Sequence, residues 1–274
     1  VVENFGIGSS VTISNNELSL TPTSNLEEGS AQYCITLPSG VITNMAGESY
    51  VGTAYTFGTI PVFNTLHSWG YSGYGQLGHN NRTTYSSPVQ VPGTTWARLG
   101  DTCYYANHQV AIKGDGTMWA WGNNGNGELG QNDTVQQSSP VQIPGTTWAL
   151  CGAGVEGTLA TKTDGTLWSW GANDDGELGL NQTGPAKASS PIQIGSDTDW
   201  PTSGIGKLTV GHRTCEAIKT DGTMWAWGQN DAGELTAGPG MAVPDKSARS
   251  SPVQIPGTGW TYCSLEVHKN MGIK

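Results

Sequence analysis

The sequence predicts an all-β protein whose larger part, residues 62–274, is an array of small repeated sheets of propeller type. A tryptophan-rich segment recurs four times, which indicates a repeat architecture. The chain has 40 glycines, 14 prolines and only 12% charged residues, a composition that suits short strands joined by tight turns. No helical periodicity is present in the repeats. Because one repeat cannot bury both faces of its sheet, the repeats must stack or close into a ring.

Each repeat is anchored by a Trp-Gly pair at the end of a predicted strand. The four anchors are Trp69, Trp121, Trp170 and Trp227, spaced 52, 49 and 57 residues apart. In the last three repeats another tryptophan stands two residues earlier, so both rings share one sheet face. His67 takes that earlier place in the first repeat, which we interpret as a packing variant. We predict that Trp121, Trp170 and Trp227 are buried between adjacent sheets, each against an aliphatic residue of the neighbour.

Two further blocks recur around these anchors. An Asp-Gly pair precedes the tryptophans at residues 115–116, 164–165 and 221–222, and it predicts a hairpin with a type I′ turn. The segments AIK and TMWAW on either side should therefore be antiparallel neighbours. Downstream, SSPVQVPGTTW at 86–96 and its counterparts at 138–148, 189–200 and 250–260 predict one more short strand, with proline confined to its start.

Composition marks a domain boundary near residues 58–61. All three phenylalanines precede residue 64, whereas all eleven tryptophans lie from Trp69 onward. We therefore predict one domain at residues 1–58 and the repeat domain at residues 62–274. The repeats are expected at about 62–98, 99–149, 150–206 and 207–260, followed by a partial repeat at 261–274.

The repeated pattern WGxNxxGxLG, preceded by DGxxWxW and followed by a strand headed by proline, resembles the regulator of chromosome condensation repeat. The resemblance covers roughly residues 64–274 and implies a β-propeller, usually of seven blades, of which about four are present here. The founding member of that family is a guanine nucleotide exchange factor for a small GTPase and binds chromatin. We predict neither activity for this chain, because no motif of its sequence matches exchange-factor contact residues. The PVQIPGTTW blocks look more like those of bacterial and phage surface proteins.

Residues 10–57 are similar to a bacterial Ig-like domain of S-layer type. The matching pieces are LTPTSNLEEGSAQYCITL at 20–37, the turn ITNMAGE at 42–48 and YTF at 55–57. The family usually has an acidic residue and Gly-Asn near that turn, where this chain has Asn44 and Gly47-Glu48. Since the first strands of such a domain are absent and residue 1 is Val, we expect a partial Ig-like β-sandwich and a chain cut from something longer.

Bulk properties exclude several classes of function. A net charge of −10 repels phosphate backbones, so no nucleic acid partner is predicted, and no apolar run is long enough to insert into a membrane. The five cysteines form no CxxC pair, and we interpret them as buried free thiols. They are Cys34, Cys103, Cys151, Cys215 and Cys263.

Candidate sites have structural interpretations. Residues 73–78 and 125–130 match GxGxxG, but the motif lies in an all-β repeat, so its glycines are interpreted as loop geometry. The acidic run 173–177 lacks the ligand spacing of a calcium loop and is interpreted as an Asx-turn. The sequons at Asn81, Asn132 and Asn181 follow from the repeat. The histidines have no ligand-like or triad-like neighbours. We predict no catalytic residue, no cofactor and no metal; the binding residues are unknown.

The predicted function is a non-enzymatic structural or binding module of a virion, such as a phage fibre, appendage or capsid-associated protein, located at the virion surface. Alternatives are an adhesin on a bacterial cell surface and an intracellular regulator such as an exchange factor. The expected partners are other proteins of the same particle or a host-surface receptor or glycan, with a homo-oligomer left open. The loops after each Trp-Gly pair should carry binding, foremost the divergent segments 180–190 and 236–251.

The first repeat lacks an AIK-type strand, and residues 261–274 resemble the run into such a strand. In one interpretation the last strand pairs with the first repeat and clasps a four-bladed ring. In the other the array continues beyond residue 274, which we favour because four blades leave little room for tryptophan pairs.

Overall fold

The structure, a computed structural model, describes the backbone of residues 11–14, 17–20, 32–36 and 54–58, together with residues 64–103, 105–182, 186–233, 235, 246–266 and 269–274. The chain divides into two compact units, Val1–Phe63 and Asn64–Lys274. All described regular elements are strands, as predicted. Across these residues there is no helix of the length and apolarity that a membrane span requires.

The first unit contains two antiparallel strand pairs, β1 with β2 and β3 with β4. The predicted Ig-like sandwich lies largely outside the described residues and stays a prediction. The strands of this unit are β1 (Val11–Ser14), β2 (Glu17–Leu20), β3 (Gln32–Thr36) and β4 (Ala54–Gly58).

The second unit begins with a two-stranded sheet and a complete four-stranded sheet, here called the first and second blades. The first blade is β5 paired with β6, and the second has the order β11-β10-β9-β7. Their strands are β5 (His67–Gly70), β6 (Tyr85–Gln90), β7 (Trp96–Leu99), β9 (His108–Lys113), β10 (Met118–Gly122) and β11 (Gln137–Ile143).

The third and fourth blades repeat the same antiparallel plan. The third has the order β15-β14-β13-β12, with the short strand β8 (Asp101–Thr102) added in parallel beside β12, and the fourth has the order β16-β17-β18-β19. Their strands are β12 (Trp148–Ala153), β13 (Gly157–Lys162), β14 (Leu167–Ala172), β15 (Lys187–Ile194), β16 (Leu208–Val210), β17 (Thr214–Ile218), β18 (Met224–Gly228) and β19 (Arg249–Ile255).

A terminal hairpin of β20 (Tyr262–Glu266) and β21 (Lys269–Ile273) follows the fourth blade. Among the described strands, β21 pairs only with β20 and β5 only with β6. The single-chain ring is therefore not formed, and continuation of the array stays a prediction.

The Asp-Gly hairpins are confirmed, but their predicted turn type is wrong. Trp119 pairs with Ala111 and Trp121 with Gln109, so AIK and TMWAW are antiparallel neighbours. Gly116 has φ of 77°, whereas Asp115 is not among the residues with positive φ, which type I′ would require. Asp115 Oδ1 instead accepts hydrogen bonds from the Thr117 N–H at 3.0 Å and its hydroxyl at 2.6 Å.

The proline-bearing segments form the last strand of each blade, as predicted, but proline lies inside the strand and not at its start. Pro140 is the fourth residue of β11. Because β11 is the edge strand of its sheet, a missing N–H there can face away from the ladder. The ladder between β10 and β11 is also irregular between Ala120 and Gly122.

Candidate functional site

The loops after each Trp-Gly pair lie at one end of the blades. They connect the third and fourth strands of each blade. The turns between the first two strands lie at the same end, since Arg213 in such a turn of the fourth blade bonds to Asp175 in the loop of the third blade. We call this end the loop face. The Asp-Gly turns lie at the opposite end.

A buried asparagine fixes the base of this loop in the second, third and fourth blades. Its side-chain oxygen accepts the N–H of a leucine five residues later, at 2.9 Å for Asn124, 3.1 Å for Asn173 and 2.9 Å for Asn230. Its amide group donates across the loop to a backbone carbonyl. The predicted Asx-turn at 173–177 is therefore a wider asparagine-closed loop. The carbonyls that accept from these amides belong to Asp133, Gln182 and Ser247.

A glutamate also closes the loops of the second and third blades. Glu128 Oε2 accepts the Asn126 N–H at 2.8 Å, and Glu177 Oε2 accepts the Asp175 N–H at 2.8 Å. Burial raises the pKa of both carboxyl groups. These acids therefore support the loops and do not face solvent.

The predicted burial of the anchor tryptophans is confirmed. Trp121, Trp170 and Trp227 are 2%, 0% and 0% exposed. Each indole N–H donates to a backbone carbonyl of the preceding blade's loop, at distances of 2.7–2.9 Å. Each ring also packs edge-on or tilted against another tryptophan of its own blade. The prediction named only an aliphatic partner from the neighbouring sheet and did not include this contact. The accepting carbonyls belong to Gln76, Glu128 and Glu177.

Backbone contacts join the loops to the next blade. Asn80, Asn132 and Asn181 have φ of 59°, 61° and 58°, and their N–H groups donate to serine carbonyls of the following outer strand at 2.5–2.7 Å. Asn80, and not the sequon residue Asn81, is therefore the counterpart of the other two. A Cβ on Gly127 would lie 2.5 Å from the Cα of Ser189. This close approach requires glycine, which supports the loop-geometry interpretation of GxGxxG.

A cluster of charges joins the third and fourth blades at the loop face. Arg213 Nε lies 3.3 Å from Glu156 Oε2, and its Nη1 lies 3.1 Å from Asp175 Oδ2. Asp174 lies 3.8 Å away with 56% of its side chain exposed. The acidic run therefore faces an arginine of the next blade.

A lysine lies between two tryptophans at the opposite end of each complete blade. Lys113 Nζ is 5.0 Å from the ring centre of Trp96 and 4.2 Å from that of Trp119. Lys162 and Lys219 repeat the arrangement. These cation–π contacts explain why lysine ends the AIK strands.

The remaining candidates have structural roles. His108 is fully buried, its Nε2 lies 2.8 Å from the Thr158 hydroxyl, and burial lowers its pKa to about 4. Cys151, Cys215 and Cys263 are buried free thiols, whereas Cys103 is half-buried. Burial raises the pKa of all four, to about 12 for Cys151. Within the described part of the chain, no group of three His, Cys, Asp or Glu residues could hold a metal.

The loop segments that we predicted as binding candidates are only partly described. Residues 183–185 of the first segment and 236–245 of the second lie outside the described residues. The described parts include Asn181, already engaged with the next blade, and Ser247, which accepts from Asn230. Their role in binding stays a prediction.

Comparisons with known proteins agree with this blade plan. The sequence model named Regulator of chromosome condensation (RCC1) repeat matches residues 64–97, 115–161 and 164–205. The ultraviolet-B receptor UVR8 of Arabidopsis thaliana is 31% identical over 98 residues, which are 35% of this chain and 22% of UVR8. The human E3 ubiquitin-protein ligase HERC2 is 29% identical over 178 residues, which are 63% of this chain and 4% of HERC2.

Solved structures show the same fold. Prp20p from Saccharomyces cerevisiae, described with its binding properties to Gsp1p and histones, superposes with a TM-score of 0.58 at 19% identity, covering 76% of this chain and 55% of that chain. Yeast RCC1 (Prp20) bound to Kap60 gives a TM-score of 0.62 at 18% identity, covering 81% of this chain and 57% of that chain. The chain thus spans little more than half of these structures.

The second unit is therefore a β-propeller array. The sequence of its first three blades matches the RCC1 repeat over segments between residues 64 and 205, and the fourth blade keeps the same strand register.

Proposed function

We propose that the propeller is a non-enzymatic protein-binding module whose loop face contacts a basic segment of a partner protein. The observation that carries this proposal is that three successive loops each present an exposed aspartate, Asp133, Asp174 and Asp231. Buried asparagines hold the bases of these loops, so binding would order few of the described residues. The carboxylates would attract a cationic partner at long range.

Two basic side chains of the same face are already engaged. Arg213 is surrounded by Glu156, Asp174 and Asp175, and Lys187 Nζ donates to the Gly125 carbonyl at 3.2 Å. The three carboxylates around Arg213 outnumber its single positive charge, so this part of the loop face is negative. The reported binding of Prp20p to Gsp1p and histones supports a binding role for a propeller of this fold.

The test measures binding of fluorescent Lys/Arg-rich peptides and of matched Asp/Glu-rich peptides to the full chain over a salt series. We expect a preference for the basic peptides that weakens with salt. The double variant Asp174→Asn, Asp231→Asn should bind them several-fold more weakly. The control Ser196→Lys, Thr198→Lys changes the net charge equally at the opposite end. No preference for basic peptides, or equal weakening by both variants, would contradict the proposal.

The setting that we propose for this module is the surface of a virion, as a fibre, appendage or capsid-associated protein. It is supported by the resemblance of residues 10–57 to bacterial Ig-like domains and by the style of the PVQIPGTTW blocks. A bacterial adhesin is the alternative. Antibodies against the chain should label purified particles. Labelling of the cell envelope alone would favour the adhesin.

An intracellular exchange factor is a second candidate, favoured by the fold shared with Prp20p. Release of a labelled guanine nucleotide from small GTPases, measured with and without the chain, tests it. Accelerated release would support this candidate, and unchanged release would contradict it.

A further inference from the structure

A small cavity lies between the third and fourth blades, near the loop face. Glu177 of the third blade's loop, Arg213 of the fourth blade's turn and Ala172 are among the residues that line it. The centre of a water-sized sphere fits there in a volume of about 10 Å³. One water molecule needs roughly 10–15 Å³ on this measure. The cavity therefore has the size of a single water molecule.

Three buried polar atoms of residues that line this cavity have no hydrogen-bond partner among the described residues. They are Glu156 Oε2, Glu177 Oε1 and Arg213 Nε. Glu177 is only 8% exposed, so its carboxyl group has little access to bulk water. Arg213 Nε and Glu156 Oε2 lie 3.3 Å apart but are not aligned for a hydrogen bond. Because a buried polar atom without a hydrogen bond destabilises the fold, we expect a common partner for these atoms.

The second blade shows which group the third blade lacks. Glu128 is the counterpart of Glu177, and Oε2 of each accepts a backbone N–H from two residues earlier. Glu128 Oε1 also accepts a hydrogen bond from Asn123 Nδ2 at 3.0 Å. At the counterpart position the third blade has Ala172, whose side chain carries no donor. Alanine in place of asparagine therefore explains both the cavity and the unpartnered oxygen.

The chemistry of the three atoms selects the ligand. The two carboxylate oxygens accept hydrogen bonds, and the guanidinium Nε–H donates one. A water molecule can do both, and buried waters typically make about three hydrogen bonds. A cation has no lone pair for the Nε–H, and an anion would be repelled by the two carboxylates. We infer that the cavity binds one ordered water molecule, which donates to Glu156 and Glu177 and accepts from Arg213.

This water joins the loop of the third blade to the turn of the fourth. In the second blade, Asn123 closes the loop by a direct bond to Glu128 within one blade. In the third blade, the water replaces that bond and extends it through Arg213 to the neighbouring blade. The water site does not depend on the partner proposed above, because its three protein atoms are buried.

The experiment combines crystallography of the full chain with thermal unfolding. In the wild type, electron density should show one water bonded to Glu156, Glu177 and Arg213. In Ala172→Asn the new amide should take the place of this water and bond to Glu177, as Asn123 bonds to Glu128. Ala172→Leu, which has the shape of asparagine without its amide, is the matched control.

The Tm of Ala172→Asn should rise by about 2–4 °C, because the amide keeps the hydrogen bond without immobilising a solvent molecule. Ala172→Leu should not gain this stability, since Glu177 Oε1 is left without a donor. Soaking wild-type crystals in rubidium chloride and measuring anomalous scattering tests for a cation at the same place.

Three results would overturn the water site. One is a wild-type cavity without density in a crystal that shows ordered water elsewhere. The second is an anomalous signal from rubidium in the cavity. The third is an equal rise in Tm for Ala172→Asn and Ala172→Leu, which would show that filling the cavity matters and the hydrogen bond does not.

Discussion

The third and fourth blades share one backbone plan but differ in what they bury. At the same register position the third blade has Leu159 and the fourth has Glu216, 0% and 1% exposed. Glu216 Oε1 accepts a hydrogen bond from Asn270 Nδ2 of the terminal hairpin at 2.7 Å, and its Oε2 has no hydrogen-bond partner among the described residues. The repeat thus specifies strand pairing, whereas the next sheet decides whether a core position can hold a carboxyl group.

The lysines of the two blades differ in a similar way. Among the described residues, Lys162 makes cation–π contacts with tryptophan rings and no ion pair. By contrast, Lys219 Nζ also lies 2.5 Å from Asp197 Oδ2 and 2.9 Å from Asp199 Oδ1. These aspartates belong to the longer connection between β15 and β16. One divergent loop has therefore added ion pairs to an otherwise repeated contact.

The largest expected effect tests what the two blades have in common. Trp170→Ala and Trp227→Ala should each lower the free energy of unfolding by about 3–5 kcal/mol, because each opens a cavity and orphans a carbonyl of the preceding blade. Urea denaturation followed by circular dichroism measures this. Trp69→Ala, whose side chain is 59% exposed, is the control and should change stability by less than about 0.5 kcal/mol. Equal losses for all three would show that the inter-blade contact is not the cause.

The next effect tests how the blades differ. Burial raises the pKa of Glu216 to about 8 from an ordinary value of 4.5. Between these values the folded chain binds a proton that the unfolded chain does not, so the free energy of unfolding falls as the pH rises towards 8. Glu216→Leu, which copies the third blade, should remove this slope and stabilise the chain above pH 8 by about 1–3 kcal/mol.

Urea denaturation of the wild type and Glu216→Leu over a pH series measures the effect. His108 has the opposite effect on the pH dependence of stability. Its pKa of about 4 lies below an ordinary 6.5, so the free energy of unfolding that it contributes is fully present above pH 6.5 and is lost as the pH falls. Because both chains contain His108, their difference isolates Glu216. Parallel pH curves would contradict the assignment.

The smallest effect concerns the added ion pairs. Asp197→Asn should destabilise the chain by less than about 1 kcal/mol, since the aspartate is half-exposed and salt screens it. The loss should shrink in high salt. Lys162→Met and Lys219→Met form a matched pair. The first variant removes cation–π contacts alone, whereas the second removes cation–π contacts and ion pairs. Thermal unfolding at low and high salt measures both, and a salt-independent difference would contradict the ionic explanation.

Much of each blade could be predicted from the sequence because its signals are local. The Asp-Gly hairpins, the proline-bearing strand and the burial of the anchor tryptophans are all confirmed. The turn type was wrong because Asp115 bonds to Thr117, two residues on, and this bond competes with the I′ conformation. The first sequon residue, Asn81, lies one position beyond the counterparts Asn80, Asn132 and Asn181, each 11 residues after its anchor tryptophan, and the bonds to serine carbonyls of the next blade confirm this alignment.

The sequence by itself determined the pairing within blades, since strands joined by a short turn lie next to each other. Only the tertiary structure decided what joins one blade to the next. Arg213 meets Asp175 across 38 residues, and the Trp227 indole meets the Glu177 carbonyl across 50. A backbone carbonyl carries no side-chain signal, so its role as an acceptor cannot be predicted from residue types. Such contacts depend on how twisted sheets pack side by side, which emerges only when whole blades come together.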